Sequence, residues 1–241
     1  GGYVTLVLVN SWGVPFFAGL ALAFLVTALI GVIFERTLYR HVYGRSELDQ
    51  VLFTIGLVFM SVAAVDYVMG SQQVFIQIPT VLQGRFELFG IGIGRYRLLI
   101  IVICGLLTVG LQLILSSTRF GSRLRASVDD ARVARGLGIN VNGVFALTFA
   151  FGSGLAGLGG ALGAEILGLD PTFPLKYMVY FLIVVTVGGN SSITGPFVAA
   201  LLLGIADVAG KYYVPQLGGF IIYTLMVVVL LVRPQGLFAR R

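Results

Sequence analysis

The chain has 241 residues, of which 58% are hydrophobic and 11% are charged. Soluble domains carry about 25% charged residues, so this composition excludes an ordinary soluble protein, and it excludes disorder as well. The single cysteine, Cys104, excludes a disulfide scaffold and a multi-cysteine metal site. The net charge of +6 comes from arginines between apolar segments, with no basic face of interleaved aromatics, so we expect no nucleic-acid partner.

Apolar segments of membrane-spanning length predict an all-α, polytopic transmembrane bundle of about six to eight helices. In chain order, the predicted spans are Val14–Phe34, Val51–Gly70, Leu98–Thr118, Val144–Ala164 and Gly218–Val232. We expect Gly1–Asn10 to be the tail of an earlier span or a loop that follows one. Alternating residues at Arg85–Leu88 predict a short strand or hairpin between the second and third spans.

A glycine-rich polar break, Gly188–Pro196, separates two apolar pieces that are shorter than a full span, Tyr177–Gly189 and Phe197–Ala209. These pieces could be two tilted spans or the two halves of a re-entrant hairpin. Short interrupted helices build substrate sites or gates in many transporters, so the break is a candidate part of a translocation path. A plain glycine turn between two tilted helices is the alternative.

The distribution of basic residues predicts the orientation of the chain in the membrane. Eleven Lys and Arg residues lie in the connectors Glu35–Gln50 and Arg119–Gly143 and in the C-terminal Arg233–Arg241, against five on the other side. Positive charge collects in cytoplasmic loops, so we expect these three segments, including the C-terminus, to be cytoplasmic.

Residues that could support catalysis or metal binding are few. The single histidine, His41, lies in a charged connector without a neighbouring nucleophile, and Cys104 lies inside an apolar span. We therefore expect a non-catalytic chain without a metal site.

Gly152–Gly157 matches the dinucleotide motif G-x-G-x-x-G by letter, but it lies inside a predicted span. Small residues recur there at spacings of four, in the pairs Ser153/Gly157, Ala156/Gly160 and Gly159/Gly163. This pattern predicts a face for close helix packing rather than a nucleotide site.

Acidic residues inside a membrane would indicate an ion or proton path. Asp66, Glu165 and Asp207 all lie near predicted span ends, and Asp207 stands four residues before Lys211, which is a helical ion-pair spacing. We therefore expect interfacial residues that form pairs or reach water.

The cytoplasmic segment Arg125–Asn140 is a candidate binding element for another protein. Its sequence predicts one short helix that ends at Gly136 or Gly138, with acidic residues early and Arg132 and Arg135 late, as the helix dipole favours. The residues on this predicted helix are Ala126, Asp129, Asp130, Val133, Ala134 and Leu137. An ordinary amphipathic connector is the alternative.

Three segments resemble the LivH-type permease subunits of branched-chain amino-acid ABC importers: RASVDDARVARGLGINVNGVFALTFAFGSGLAGLGGALG, GGNSSITGPFVAALLLGIAD and LVRPQGLF. The match is specific from Arg119 to Phe238. From Gly1 to Thr118 it is looser and rests on span order and on VLFTIGLVF. Members of this family usually begin with additional membrane helices, so the resemblance implies a single permease domain that lacks its N-terminal helices.

The resemblance also implies a multi-pass protein of a bacterial or archaeal cytoplasmic membrane with several partners. These are two cytoplasmic ATPase subunits, which would bind ATP and Mg, a second homologous permease, and a periplasmic or extracellular substrate-binding protein. The binding protein would contact Ser71–Arg97 and Glu165–Lys176. The ATPase would contact a coupling loop over residues 119–143, whose motif residues are Asp129, Asp130, Ala131, Ala134, Gly136, Gly138, Ile139 and Asn140.

Small and neutral polar residues are the candidates for the translocation path. They are Thr148, Ser153, Thr186, Gly188, Gly189, Asn190, Ser191 and Ser192. An apolar path of this kind suits branched-chain or related hydrophobic amino acids. A permease for urea or short amides fits the same patterns, and a secondary carrier or channel without an ATPase is the alternative of another class. The sequence does not distinguish homodimeric from heterodimeric pairing.

Overall fold

The structure is a computed structural model that describes residues 1–42, 44–88, 91–189, 193–216, 218–233 and 236–237. Among these residues, five helices are long and apolar enough to cross a membrane, so the predicted all-α polytopic architecture is confirmed. In chain order, the helices are α1 (Gly2–Leu6, continued by a π-helical turn over Val7–Ser11), α2 (Phe16–Thr37), α3 (Glu47–Met69), α4 (Arg95–Ser117), α5 (Arg119–Asp129), α6 (Ala131–Gly136), α7 (Val141–Leu167), α8 (Phe173–Gly188), α9 (Thr194–Tyr213) and α10 (Gly218–Val232). The five long helices are α2, α3, α4, α7 and α9.

Local capping signals set the ends of these helices. α3 begins after Ser46, whose hydroxyl accepts a hydrogen bond from the Asp49 amide at 3.2 Å. It ends at Gly70, which has a φ of 81°. A serine N-cap and a C-terminal glycine with positive φ are common helix boundaries. Residues Gly2–Ser11 are helical, so the alternative of a loop over this segment is wrong.

The alternation at Arg85–Leu88 forms the predicted hairpin. This strand, β1, pairs antiparallel with β2 (Ile91–Gly94), and Arg85 lies opposite Gly94 in the register. α4 follows β2 directly, so the hairpin leads into a membrane-spanning helix.

The two apolar pieces beside the glycine-rich break differ in length. α8 has 16 residues and spans about 24 Å, which is short of a roughly 30 Å hydrocarbon core, as predicted. α9 has 20 residues, because it begins at Thr194 and continues to Tyr213. The helix thus extends beyond the apolar piece Phe197–Ala209, and its length fits the alternative of a tilted full span for this piece.

The chain divides into two compact units: Gly1–Ile103 with Leu115–Phe173, and Cys104–Ile114 with Pro174–Arg241. Bulky side chains of the first unit pack against small residues near the C-terminal end of α7. This core consists of Phe16, Leu20, Ile76, Tyr96, Ala161, Leu162, Ala164 and Leu169. The buried hydroxyl of Tyr96 donates a hydrogen bond to the Leu162 carbonyl at 2.8 Å, which joins α4 to α7.

α2 and α7 run antiparallel and approach each other closely through glycines. A Cβ atom added to Gly157 would overlap the Thr27 side chain, and one added to Gly31 would overlap Ser153. Close approach through small residues is a common way for membrane helices to gain van der Waals contact, because lipid already satisfies their apolar surfaces.

Only one of the three predicted pairs of small residues on α7 lies in its interface with α2. The buried ones recur at spacings of three or four: Ala146, Ala150, Gly154, Gly157, Ala161 and Ala164. Ser153 and Gly157 contact α2, whereas Ala156 and Gly159 are exposed, so the other two predicted pairs do not lie in this interface. The G-x-G-x-x-G match lies inside α7 and not at a strand–helix turn, which removes the context that nucleotide binding needs.

The second unit is built around α8, α9 and α10. Its core consists of Ile183, Val187, Ala199, Leu203 and Ile222. A Cβ atom added to Gly210 would overlap Ile221, so α9 and α10 touch there. Lys211 Nζ lies 2.7 Å from Asp207 Oδ2, which confirms the predicted ion pair.

Two of the long helices expose apolar side chains. The most apolar stretches of α3 and α4 contain no buried residue, and Phe59, Met60 and Leu106 are among the exposed side chains. Large exposed apolar surfaces are characteristic of helices that contact lipid or other membrane helices.

Replacing Gly157 with alanine should destabilise the first unit, because the new methyl group overlaps Thr27. Overpacking of this kind typically costs about 1–3 kcal/mol. The measurement is the melting temperature of the purified protein in detergent, which should fall. Gly159→Ala is the matched control, since nothing lies within 4 Å of a Cβ atom there. Equal melting temperatures for the two variants would contradict close packing at Gly157.

Candidate functional site

The predicted coupling segment forms two helices, not one. α5 ends at Asp129 and α6 begins at Ala131, because Asp130 has an extended backbone with φ −151° and ψ 101°. The prediction of a single helix that carries Ala126 through Leu137 is therefore wrong. The cause is local: an aspartate that caps one helix cannot continue the previous one.

Asp130 fixes the start of α6. Its Oδ1 atom accepts hydrogen bonds from the Arg132 amide at 2.8 Å and the Val133 amide at 3.0 Å. A carboxylate at this position also interacts favourably with the positive end of the helix dipole. Asp129, one residue earlier, is exposed, and its side chain makes no hydrogen bond within the described residues.

Gly138 fixes the end of α6. Its φ is 81°, and its amide donates to the Arg135 carbonyl at 3.0 Å, while the Ile139 amide donates to the Ala134 carbonyl at 3.0 Å. This pair of bonds is a Schellman motif, whose left-handed residue is usually glycine. Gly136 belongs to the helix itself and is exposed.

Asn140 starts the next membrane helix. Its Oδ1 atom accepts a hydrogen bond from the Gly143 amide at 3.0 Å, which caps α7. Ala134, at 1% exposure, is the buried contact of α6, and Ala131 is its first residue. The motif residues therefore set the position of α6 and its connection to α7.

Three apolar side chains on α5, α6 and the turn after them are exposed. Val128 is 68% exposed, Val133 is 58% exposed and Leu137 is 76% exposed. They stand beside arginines in a segment that belongs to no membrane-spanning helix. Exposed apolar residues rimmed by polar ones often form protein interfaces. The sequence interpretation used Val133 and Leu137 to predict a helix but did not identify them as a surface.

A cavity of about 1140 Å³ opens beside this segment, within the first unit. Glu35 and Arg40 line it from α2 and the turn that follows, and Arg135 lines it from α6. The remaining lining residues are Leu124, Val128, Asn142, Phe145, Thr148, Phe149, Gly152, Ser153 and Ala156. We call this space the basic-end cavity.

Glu35 is the residue that the sequence interpretation misassigned. It was predicted to lie in a connector, but α2 continues to Thr37, and Glu35 is only 4% exposed. The extension follows from the residues after Phe34, which include no glycine or proline before Gly44. The signal available in the sequence was that Glu35 directly follows an apolar helix and that no helix-breaking residue comes after it before Gly44.

The structure brings together only part of the predicted translocation path. Thr148 and Ser153 both line the basic-end cavity. In the second unit, the Thr186 hydroxyl donates to the Leu182 carbonyl at 2.7 Å, and Gly188 is buried in contact with Pro196. Gly189 follows α8 with a φ of 86°. The remaining candidates, Asn190, Ser191 and Ser192, lie outside the described residues.

At the opposite end of the first unit, backbone hydrogen bonds join the two segments that are predicted to contact a binding protein, Ser71–Arg97 and Glu165–Lys176. Val74 and Leu169 exchange backbone hydrogen bonds of 2.8 Å in each direction. The Gln73 side chain donates to the Leu167 carbonyl at 2.8 Å. A second cavity, of about 640 Å³, lies at this end and includes Glu165 in its lining. Asp66 accepts a hydrogen bond from the Ser71 hydroxyl at 2.6 Å.

Comparison with known proteins assigns this architecture to a transport family. The family model described as "branched-chain amino acid transport system / permease component" matches residues 1–230. The chain is 32% identical to the high-affinity branched-chain amino acid transport system permease protein BraD of Pseudomonas aeruginosa, over 92% of this chain and 74% of that protein. It is 28% identical to the permease protein LivH of the corresponding Escherichia coli system, with the same coverage.

An archaeal protein shows the same similarity. The probable branched-chain amino acid transport permease protein LivH of Methanocaldococcus jannaschii is 26% identical, over 98% of this chain and 79% of that protein. The chain thus spans about three quarters of the length of these relatives. No solved structure matches the chain significantly.

Replacing Asp130 with alanine should destabilise α6, because its first amides lose their acceptor. Loss of such a cap costs about 1 kcal/mol, which corresponds to roughly fivefold faster amide exchange. Hydrogen-exchange mass spectrometry of the peptide that contains α6 measures this directly. Asp130→Asn keeps the acceptor and should exchange more slowly than Asp130→Ala, and Asp129→Ala should match the unmodified protein. Indistinguishable exchange in the two alanine variants would refute the capping role.

Proposed function

This chain belongs to the family of permease components of branched-chain amino acid transport systems, and from that premise we propose that it forms part of the membrane path of an ATP-driven importer. The proposed substrates are branched-chain or related hydrophobic amino acids. The observation that supports this proposal most strongly is the family match over residues 1–230, which includes both the membrane helices and the α5–α6 segment.

The names of the relatives favour amino acids over the alternative of urea or short amides. BraD of Pseudomonas aeruginosa and LivH of Escherichia coli are both named as branched-chain amino acid permeases. The basic-end cavity has apolar walls next to charged groups, which suits a zwitterion with an aliphatic side chain better than a small neutral amide.

We infer that α5 and α6 form the surface to which the ATPase binds. Val128, Val133 and Leu137 offer apolar contacts to a partner without any change in the chain. α6 is short, but it is capped by Asp130 and closed by the Schellman turn at Gly138. A partner that displaces α6 therefore displaces a defined body and not a flexible loop.

Displacement of α6 would pass directly to the membrane helices. Four residues, Leu137–Asn140, connect α6 to α7, and Asn140 caps α7. α7 in turn packs against α2 through Gly157 and Gly31. If α2 and α7 can adopt two arrangements, closure of the ATPase would favour one of them, because the ATPase would bind that arrangement more tightly.

The proposed orientation puts α5, α6 and the C-terminus in the cytoplasm. The excess of arginine in these segments follows the positive-inside rule. ATP and Mg would be bound by the ATPase subunits. The opposite end, where Val74 pairs with Leu169, would face the substrate-binding protein. The exposed faces of α3 and α4 would contact lipid and a second permease.

Replacing Gly138 with valine should abolish ATP-driven uptake of labelled leucine. A φ of 81° is strained for a β-branched residue, so the Schellman turn and the position of α6 should change. The affinity of the binding protein for leucine should stay the same, because that site lies on another chain. The measurements are uptake into proteoliposomes and co-purification of the ATPase with the permease.

Gly70→Val is the matched control, because Gly70 also has a φ of 81° but ends α3. We expect this variant to retain the ATPase, while Gly138→Val loses most of it. Normal ATPase binding and normal uptake in Gly138→Val would contradict the coupling assignment. Uptake by the unmodified chain without any ATPase would instead favour a secondary carrier.

A further inference from the structure

Glu35 is a buried acidic residue whose side chain has no partner among the residues of the first unit that the structure describes. It is 4% exposed, and within the described residues it makes no ion pair and no hydrogen bond through its side chain. Burial of an isolated carboxylate is unfavourable unless a cation or hydrogen-bond donors compensate its charge. The Glu35 carboxylate is therefore a hydrogen-bond acceptor that a positively charged group would stabilise.

The Glu35 carboxylate reaches the basic-end cavity. Tyr3 Oη is the one side-chain oxygen or nitrogen in the described part of the chain that is completely buried and lacks a hydrogen-bond partner. The unpartnered oxygens of Glu35 must therefore retain some accessible surface, and the cavity that Glu35 lines supplies it. A cationic group inside that cavity could contact the carboxylate.

The other walls of the cavity complement the rest of an amino acid. Arg40 and Arg135 are exposed and line the same space, so guanidinium groups are available for a carboxylate. Leu124, Phe145 and Phe149 provide apolar surface for an aliphatic side chain. Among the described residues that line this cavity, the titratable groups are one carboxylate and two guanidinium groups, on α2, the turn after it and α6.

We propose that the basic-end cavity binds a zwitterionic amino acid and that Glu35 binds its ammonium group. Arg40 and Arg135 attract the substrate carboxylate, and the aromatic wall of α7 contacts its aliphatic side chain. This proposal rests on the proposed transport function and adds a binding site to it. Because Arg135 belongs to α6, the same site would place bound substrate in contact with the element that the ATPase is proposed to move.

The decisive comparison uses ligands that lack one charged group each. The full chain, purified with its partner permease and ATPase subunits but without the substrate-binding protein and placed in lipid nanodiscs, is titrated with leucine, with leucinamide, which lacks the carboxylate, and with 4-methyl-2-oxopentanoate, which lacks the ammonium group. The readout is competition against radiolabelled leucine. Glu35→Gln preserves the shape of the side chain and removes its charge.

We expect Glu35→Gln to lower the affinity for leucine and for leucinamide by about tenfold or more, because the charge-assisted hydrogen bonds to their ammonium groups are lost. The affinity of 4-methyl-2-oxopentanoate should stay within about twofold of the unmodified protein, since it never contacts Glu35 through an ammonium group. Asp49→Asn is the matched control, because Asp49 is an exposed acidic residue outside the lining of this cavity, and it should leave all three affinities unchanged. If Glu35→Gln cannot be purified, Glu35→Asp is used instead. It should lower the affinities for leucine and leucinamide, which carry an ammonium group, more than the affinity for 4-methyl-2-oxopentanoate.

Three results would overturn the assignment: unchanged affinities in Glu35→Gln, an equal loss for all three ligands, and undetectable leucine binding to the unmodified protein. An equal loss would mean that Glu35 only maintains the shape of the cavity, for example by attracting Arg135. ATP-driven leucine uptake by the unmodified importer is measured in parallel. Its absence contradicts the proposed function, whereas uptake combined with any of the three results contradicts only the role of Glu35.

Discussion

The close approach of α2 and α7 is the constraint on which the first unit depends. Gly157 leaves room for Thr27, and Gly31 leaves room for Ser153, so side chains of each helix pack directly against the glycine backbone of the other. This contact is available only to small residues, and in a membrane it supplies packing that the hydrophobic effect does not. The basic-end cavity and the connection to α6 both lie at one end of this helix pair.

The coupling motif has a simple physical basis. Asp130 caps α6, Gly138 closes it, and Asn140 caps the membrane helix that follows. These residues fix backbone geometry, while the exposed apolar side chains beside them are free to contact a partner. Under the proposed function, Asp130, Gly138 and Asn140 would therefore position an interface whose surface is formed by other side chains.

Much of the fold could be predicted from the sequence, because membrane spans depend on local composition. The spans, the hairpin at Arg85–Leu88 and the Asp207–Lys211 pair follow from periodicity and spacing. The break at Asp130 was missed because capping and helix continuation compete for the same residue. The cavity around Glu35 depends on contacts among α2, α5 and α7 that no single segment specifies. The coupling role proposed for Asp130 and Gly138 does not follow from periodicity or spacing, because it depends on a partner chain.

We propose that an ATPase binds this chain at α5 and α6. Photocrosslinking from position 137 tests it most directly, because Leu137 is 76% exposed and the neighbouring Gly138 fixes its turn. In the assembled importer, a benzophenone side chain at this position should form an adduct with the ATPase, whereas one at Val81, which is 73% exposed at the opposite end, should not. An ATPase adduct from position 81, with only lipid adducts from position 137, would contradict the account.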